Sequence, residues 1–232
     1  MDGEFKMPHL IGLLPDGTIH DRFFDEIQIE DAVRIAEGVK KLAGPSLTDE
    51  ELTEVRGKLD QLAGFRKARL WVSAWRAATR VLEITAAPIY AETAQAGVEQ
   101  ALTGMREDVA HAVKRLEEGD VEGGYLRLLD LRTEHEGTPL EKDTKNTVRK
   151  LERDKRYKDA IKDVQRKLEA EELWAELEQK LAEGKERPAE RLAEKLIEKF
   201  GDTPAGRRAA ERYPHLVPPD PGRGGSGGAA GR

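Results

Sequence analysis

Cysteine is absent from this 232-residue chain, and aromatic residues make up only 5% of it. Without cysteine the chain cannot form disulfides, use a thiolate nucleophile or bind zinc through sulfur. Serine is also scarce, at positions 46, 73 and 226 alone, so a serine hydrolase triad has almost no candidate nucleophile. The sequence therefore favours a role that is not enzymatic, without deciding the question.

Long apolar runs are absent as well. No stretch approaches the roughly 20 residues that a membrane-spanning helix needs, and the first residues lack the pattern of a secretory signal. We therefore expect no membrane partner; the compartment is unknown, with the cytoplasm as the default. Lysine and arginine (39) are intermixed with aspartate and glutamate (45), which gives a net charge of -6 and no large basic surface. Nucleic acid is therefore not an expected partner.

The histidines show no metal-ligand spacing. His135 lies between Glu134 and Glu136, which indicates a polar helix end. No glycine-rich loop precedes a helix in the pattern that cradles phosphates, and no carboxylate pair stands in an apolar context that would raise its pKa. We predict neither a metal site nor a cofactor. The five histidines are His9, His20, His111, His135 and His215.

The first 45 residues show a strand, turn, strand and helix pattern. Residues 9–14 form a nearly continuous apolar run, which is typical of a strand covered on both faces. Asp16-Gly17 is a strong hairpin signal, because glycine accepts the positive φ of a two-residue turn. Residues 18–23 alternate as a second strand, and residues 28–43 carry apolar side chains at helical spacing. The segment therefore predicts a β-hairpin followed by one helix.

This order resembles the closing half of a thioredoxin-like domain. Pro8 matches the family's cis-proline, Met7 the residue before it, Asp16-Gly17 the turn, and residues 28–43 the final helix. The resemblance implies that Met7 and Pro8 bind a peptide by adding it as a strand, a mode that requires no thiol. The family's Cys-x-x-Cys motif would precede the matched part and is absent from this chain. A plain edge strand beginning at Pro8 is the alternative interpretation.

From Leu47 onward the pattern is almost entirely helical. Thr48 and Glu51 have the spacing of a capping box, and the apolar stripe that follows predicts one long helix or two joined near Gly64. Trp71 and Trp75 lie one turn apart, which suits either an aromatic anchor for a partner or core packing. A heptad stripe between residues 91 and 116 predicts either an intramolecular bundle or the seam of a homodimer.

A faint internal repeat occurs at a spacing of 65 residues. Gly119 and Gly184 each end a helix, and each is followed nineteen residues later by Thr-Pro. The intervening segments, 121–135 and 188–200, predict one helix in each copy. The segment 199–205 resembles the hairpin of tetratricopeptide-type repeats, in which an aromatic residue closes one helix and a small residue opens the next.

These observations predict a mainly α fold, with an N-terminal ββα thioredoxin-like remnant followed by a long-helix bundle or irregular helical repeat. The expected domains are 1–45, a helical region 46–217 with a subdivision near 118–140, and a disordered tail 218–232 rich in glycine and proline. The expected function is non-catalytic protein binding or scaffolding. One alternative is a thiol-disulfide oxidoreductase whose catalytic half lies upstream, and another is a purely structural helical protein.

Overall fold

The computed structural model describes residues 10–14, 19–23, 29–43 and 47–218. Within these ranges the chain is mainly α-helical, with a two-stranded antiparallel sheet near its N-terminus, which confirms the predicted fold class. The strands are β1 (Leu10–Leu13) and β2 (Ile19–Phe23). The helices are α1 (Ile29–Ala43), α2 (Asp49–Lys67), α3 (Trp71–Ile84), α4 (Pro88–Glu117), α5 (Val121–Glu134), α6 (Glu141–Arg153), α7 (Lys158–Ala182), α8 (Glu186–Phe200) and α9 (Pro204–Arg212).

The hairpin and first helix lie close to their predicted positions. Leu10 pairs with Phe23 and Leu13 pairs with Ile19, and both strands contact α1. Met7, Pro8, Asp16 and Gly17 lie outside the described residues. The resemblance of this segment to a thioredoxin-like domain therefore stays a prediction.

The boundary between α2 and α3 differs from the expected break near Gly64. The predicted capping box is confirmed at the start of α2, where the Glu51 amide donates to the Thr48 hydroxyl at 3.2 Å and the Thr48 amide donates to the Glu51 carboxylate at 2.9 Å. Helix α2 then continues through Gly64, because one glycine weakens a helix by only about 1 kcal/mol. The helix ends where Arg69 adopts a φ of 56° and the Leu70 amide donates to the Phe65 carbonyl at 2.9 Å.

The described residues form two compact units. One comprises those within 1–114 and 127–146, and the other those within 115–126 and 147–218. The first contains one apolar cluster around Val55, Val81 and Tyr90, and a second around Leu62 and Ala78. The core of the other unit joins α7, α8 and α9. Its buried members are Ala170, Leu177, Ala189, Ala193, Leu196, Phe200, Ala205 and Ala209.

Neither the domain boundaries predicted at residues 45 and 217 nor the disordered tail is tested. Residues 219–232 lie outside the described part. The heptad stripe of α4 is buried in the chain over most of its length, and a homodimer stays a prediction. The buried members of the stripe are Ala91, Ala94, Met105, Ala112 and Leu116.

Both copies of the 65-residue repeat end their first helix in the same backbone turn. Gly119 has a φ of 98° and Gly184 a φ of 70°, which are left-handed conformations that favour glycine. The residue after each glycine donates its amide to the carbonyl five positions earlier at 2.9 Å. Helices α4 and α7 therefore end at equivalent positions, 117 and 182.

The second shared feature is a buried threonine between the two shorter helices of each copy. The Thr138 hydroxyl donates to the His135 carbonyl at 2.8 Å, and the Thr203 hydroxyl donates to the Phe200 carbonyl at 2.7 Å. Each hydroxyl also accepts a hydrogen bond from a backbone amide at the start of the next segment. The repeat thus extends to individual hydrogen bonds, which aligns His135 with Phe200.

Replacement of Gly119 or Gly184 by alanine should lower the free energy of unfolding by about 1–2 kcal/mol each, because an L-residue is strained in the left-handed region. Gly57→Ala is the control, because Gly57 lies inside α2 with no atom within 4 Å of an added Cβ. This change should stabilise the chain by up to about 1 kcal/mol. Urea unfolding followed by circular dichroism measures all three. The interpretation fails if the three variants shift in the same direction.

Candidate functional site

A cleft of about 360 Å³ opens in the first unit, at the N-terminal end of α3. Its walls combine apolar side chains with three arginines, two acids and one histidine. The volume lies in the lower part of the range of about 300–1,000 Å³ for ligand pockets. The lining residues are Arg69, Leu70, Trp71, Val72, Ser73, Arg76, Met105, Asp108, Arg127, Glu134 and His135.

The N-terminus of α3, which forms one side of the cleft, has no side-chain cap. The N-cap position is Leu70, which makes no capping hydrogen bond, and the first turn contains no acidic residue. Helix α2 is the opposite case, since it has a capping box and three acidic residues in its first turn. The amides of the first turn of α3 and the positive end of the helix dipole therefore remain available to a molecule bound in the cleft.

Trp71 lies directly over Gly104 of α4. A Cβ built on Gly104 would overlap the indole ring, so a glycine here is what allows the tryptophan to lie flat against the helix. Trp75, one turn further along α3, does not line the cleft and packs instead against the cluster that contains Leu62 and Ala78. The structure thus places the two predicted anchor tryptophans in different surroundings. Met7 and Pro8, the predicted peptide-binding pair, lie outside the described residues.

His135 lies at the end of α5, as the sequence predicts, but it is buried rather than a surface group. Its side chain is only 1% exposed, and its Nδ1 lies 2.8 Å from the Thr144 hydroxyl. That hydroxyl donates to the Leu140 carbonyl at 3.0 Å, and with its single hydrogen so placed it accepts from Nδ1 in the Nδ1–H tautomer. Nε2 has no hydrogen-bond partner among the described residues. Burial lowers the pKa of His135, which favours the neutral ring.

Arg127 lies between two acids that also line the cleft. Its guanidinium donates to the Glu134 carboxylate at 2.6 Å and lies 3.8 Å from the Asp108 carboxylate. Burial nevertheless raises the pKa of Asp108, more than Arg127 lowers it. The sequence does not predict this raised pKa, because Asp108 lies among charged side chains and not in an apolar segment.

The second copy of the repeat has apolar residues where the first has several of these polar groups. Four polar residues at or beside the cleft correspond to apolar residues in the apolar core of α7, α8 and α9. The shared glycine turn and threonine hydrogen bond therefore form without these polar groups. The replacements are Leu173 for Asp108, Leu192 for Arg127, Phe200 for His135 and Ala209 for Thr144.

The described residues of the cleft do not form the contacts of a nucleophilic triad. Ser73 lines the cleft, but no hydrogen bond joins it to His135 among the described residues. The imidazole is oriented by the hydroxyl of Thr144, whereas a nucleophilic triad orients it with a carboxylate. What the cleft offers is an apolar wall, free amides, cations and a neutral nitrogen acceptor.

A second cavity, of about 400 Å³, lies in the other unit and is lined mainly by charged residues. Its central cation, Arg166, donates to the Asp202 carboxylate at 2.7 and 3.0 Å and to the Lys199 carbonyl at 2.7 Å. Arg207 donates to the Asp202 carbonyl at 3.0 Å. These groups form hydrogen bonds with one another. The second cavity therefore has fewer unpaired polar groups for a ligand than the cleft has.

Comparison of the chain with protein-family models, with curated proteins and with solved structures finds no match in any of the three. In the described part of the chain, no helix combines the length and the apolar character needed to cross a membrane. Among the same residues, no three or more His, Asp or Glu side chains are grouped so that they would hold a metal ion.

Gly104→Ala should displace the Trp71 indole, because the added methyl group would occupy the position of the ring. We expect a large change in the NMR shift of the Trp71 indole N–H, and a loss of about 1–3 kcal/mol in the free energy of unfolding. Gly64→Ala is the matched control, since no atom lies within 4 Å of its added Cβ. An unchanged Trp71 resonance in Gly104→Ala would contradict the packing described.

His135 should make the chain less stable as the pH falls. In the unfolded chain the imidazole titrates near pH 6.5, whereas burial lowers the pKa in the folded chain. Between these two pKa values the unfolded chain holds the additional proton, so the free energy of unfolding falls as pH falls through this window. The double variant His135→Phe, Thr144→Ala, which copies the second repeat, should lose this part of the pH dependence.

Urea unfolding of the wild type and the double variant at pH 7 and pH 5 measures the difference. Asp108, Arg127 and Glu134 are present in both proteins, so only the part of their titration that depends on His135 enters the difference. Equal losses of stability between the two pH values would show that His135 is not the responsible group.

Proposed function

We propose that this chain is a non-catalytic binding module, and that the cleft beside the first turn of α3 receives a segment of a protein partner. The helices supply a rigid scaffold, and the cleft supplies the recognition groups. This proposal keeps the protein-binding role expected from the sequence and moves the site from Met7 and Pro8 to the cleft.

The observation that carries the proposal is the difference between the two copies of the repeat. Equivalent positions are polar where they line or support the cleft, and apolar where they close the core of α7, α8 and α9. Burial of His135 and Thr144 in place of a Phe and an Ala requires that their polar atoms find partners. One of these atoms, Nε2 of His135, has no hydrogen-bond partner among the described residues, so it is available to a ligand bound in the cleft.

The lining also has the composition of a recognition site. Tryptophan, methionine and arginine are enriched in protein interfaces, and Trp71, Met105 and Arg127 all line the cleft. Leu70 is 52% exposed at its edge, where an apolar group of a partner would cover it. Together these residues form an apolar surface bordered by charge, an arrangement typical of a centre that a peptide side chain occupies.

The repeat itself provides the test. A variant that carries Asp108→Leu, Arg127→Leu, His135→Phe and Thr144→Ala gives the first copy the residues of the second. It should fold, because those residues pack together in the apolar core of the second copy. Random peptides displayed on phage are selected for binding to the wild-type chain. The affinity of each selected peptide is then measured for the wild type and for this variant. We expect enriched peptides that bind the wild type at least about tenfold more tightly, a difference of about 1.4 kcal/mol.

The control is the double variant Arg166→Leu, Asp202→Leu, which removes an exposed ion pair from the other cavity. It should bind the selected peptides as the wild type does. Circular dichroism establishes that each variant is folded before binding is compared. If no peptide is enriched, or if the selected peptides bind the cleft variant as tightly as the wild type, the cleft is not the recognition site.

A further inference from the structure

The geometry points to a carboxylate, carried next to an apolar side chain, as the group that the cleft binds. This inference rests on the proposed function and names the chemistry of the peptide segment. The carboxylate would lie against the first turn of α3, with Arg69 and Arg76 on either side, and the apolar side chain against Leu70 and Trp71.

The first turn of α3 is suited to an anion because its own chain does not satisfy it. Leu70 at the N-cap contributes no acceptor, and the amides of residues 71–73 have no bonded carbonyl in the helix. The Arg69 guanidinium has no acid partner among the described residues. Arg76 has only a 3.5 Å contact with the Glu136 carbonyl, which leaves its charge without a counter-ion there.

The charge of the cleft matches a single negative charge. Three arginines and two acids line it, which gives a formal charge of +1 when both acids are ionised. Arg127 is already engaged by Glu134 and Asp108, so Arg69 and Arg76 are the cations left for a ligand. A phosphate group, with about -1.5 to -2 charges at pH 7, would exceed what the cleft neutralises and would lie near the carboxylates. A carboxylate fits better.

His135 is a second and independent indication of a ligand. It is 99% buried and lines the same cleft, yet Nε2 has no partner among the described residues. In the neutral Nδ1–H tautomer, which burial favours, Nε2 accepts a hydrogen bond. A peptide supplies an N–H donor within one residue of its carboxylate, whereas an acetate or chloride ion supplies none.

Four short peptides test the inference by NMR titration, with the Trp71 indole N–H and the amides of Val72 and Ser73 as reporters. The first pair is acetyl-Leu-Glu-amide and its neutral counterpart acetyl-Leu-Gln-amide. The second pair is acetyl-Ala-Leu with a free carboxyl end and the same peptide as an amide. We expect the charged member of at least one pair to bind at least about tenfold more tightly. The two pairs distinguish a side-chain carboxylate from a chain terminus.

Two substitutions at the edge of the cleft separate charge from packing. Leu70→Asp places a carboxylate at the start of α3 within the chain itself, whereas Leu70→Asn removes the same leucine without adding charge. Leu70→Asp should weaken binding of the acidic peptide about tenfold more than Leu70→Asn does. Arg69→Gln should also weaken it, and Arg66→Gln, which removes the same charge outside the cleft, should not.

The outcomes separate this inference from the proposed function. If charged and neutral peptides bind equally, and both lose binding to the four-residue cleft variant, then the cleft is a peptide site but carboxylate recognition is refuted. If neither pair binds the wild type while phage selection yields peptides without acidic residues, the same conclusion holds. If phage selection also yields no peptide that depends on the cleft, both proposals fail.

Discussion

One hydrogen bond, from the Leu70 amide to the Phe65 carbonyl, determines where the cleft lies. It spans Arg69, whose backbone has a left-handed conformation. It ends α2 and makes Trp71 the first residue of α3, so no polar residue remains to cap that helix. It also directs the indole of Trp71 against Gly104 of α4. The apolar wall and the uncapped amides of the cleft therefore have one origin, a turn of three residues.

The two copies of the repeat carry different side chains on a shared set of turns, an apolar core in one and a cleft with polar lining in the other. In the second copy, Phe200 and Ala209 complete an apolar core. In the first, His135 and Thr144 occupy the equivalent positions and satisfy only part of their hydrogen-bonding capacity within the chain. Apolar side chains at such positions contribute more to folding than partly satisfied polar ones.

Sequence periodicity predicted the fold class and most of the helices, because helical spacing of apolar residues and the glycine and proline signals act locally. The break between α2 and α3 was missed because an arginine, rather than a glycine, adopts the left-handed conformation there. The cleft was missed because Trp71, Asp108 and His135 come from three separate segments, and neighbouring glutamates concealed the burial of His135. One signal was available: the polar residues at positions where the repeat at an offset of 65 has apolar ones.

At position 69, selection for stability and selection for charge would favour different residues. A residue other than glycine in the left-handed region strains the backbone, and its guanidinium has no acid partner among the described residues that would offset the strain. Selection for heat resistance alone would therefore draw position 69 towards glycine. Descendants of this chain that keep a cation there under such pressure would reveal that its charge, and not its backbone, is what natural selection maintains.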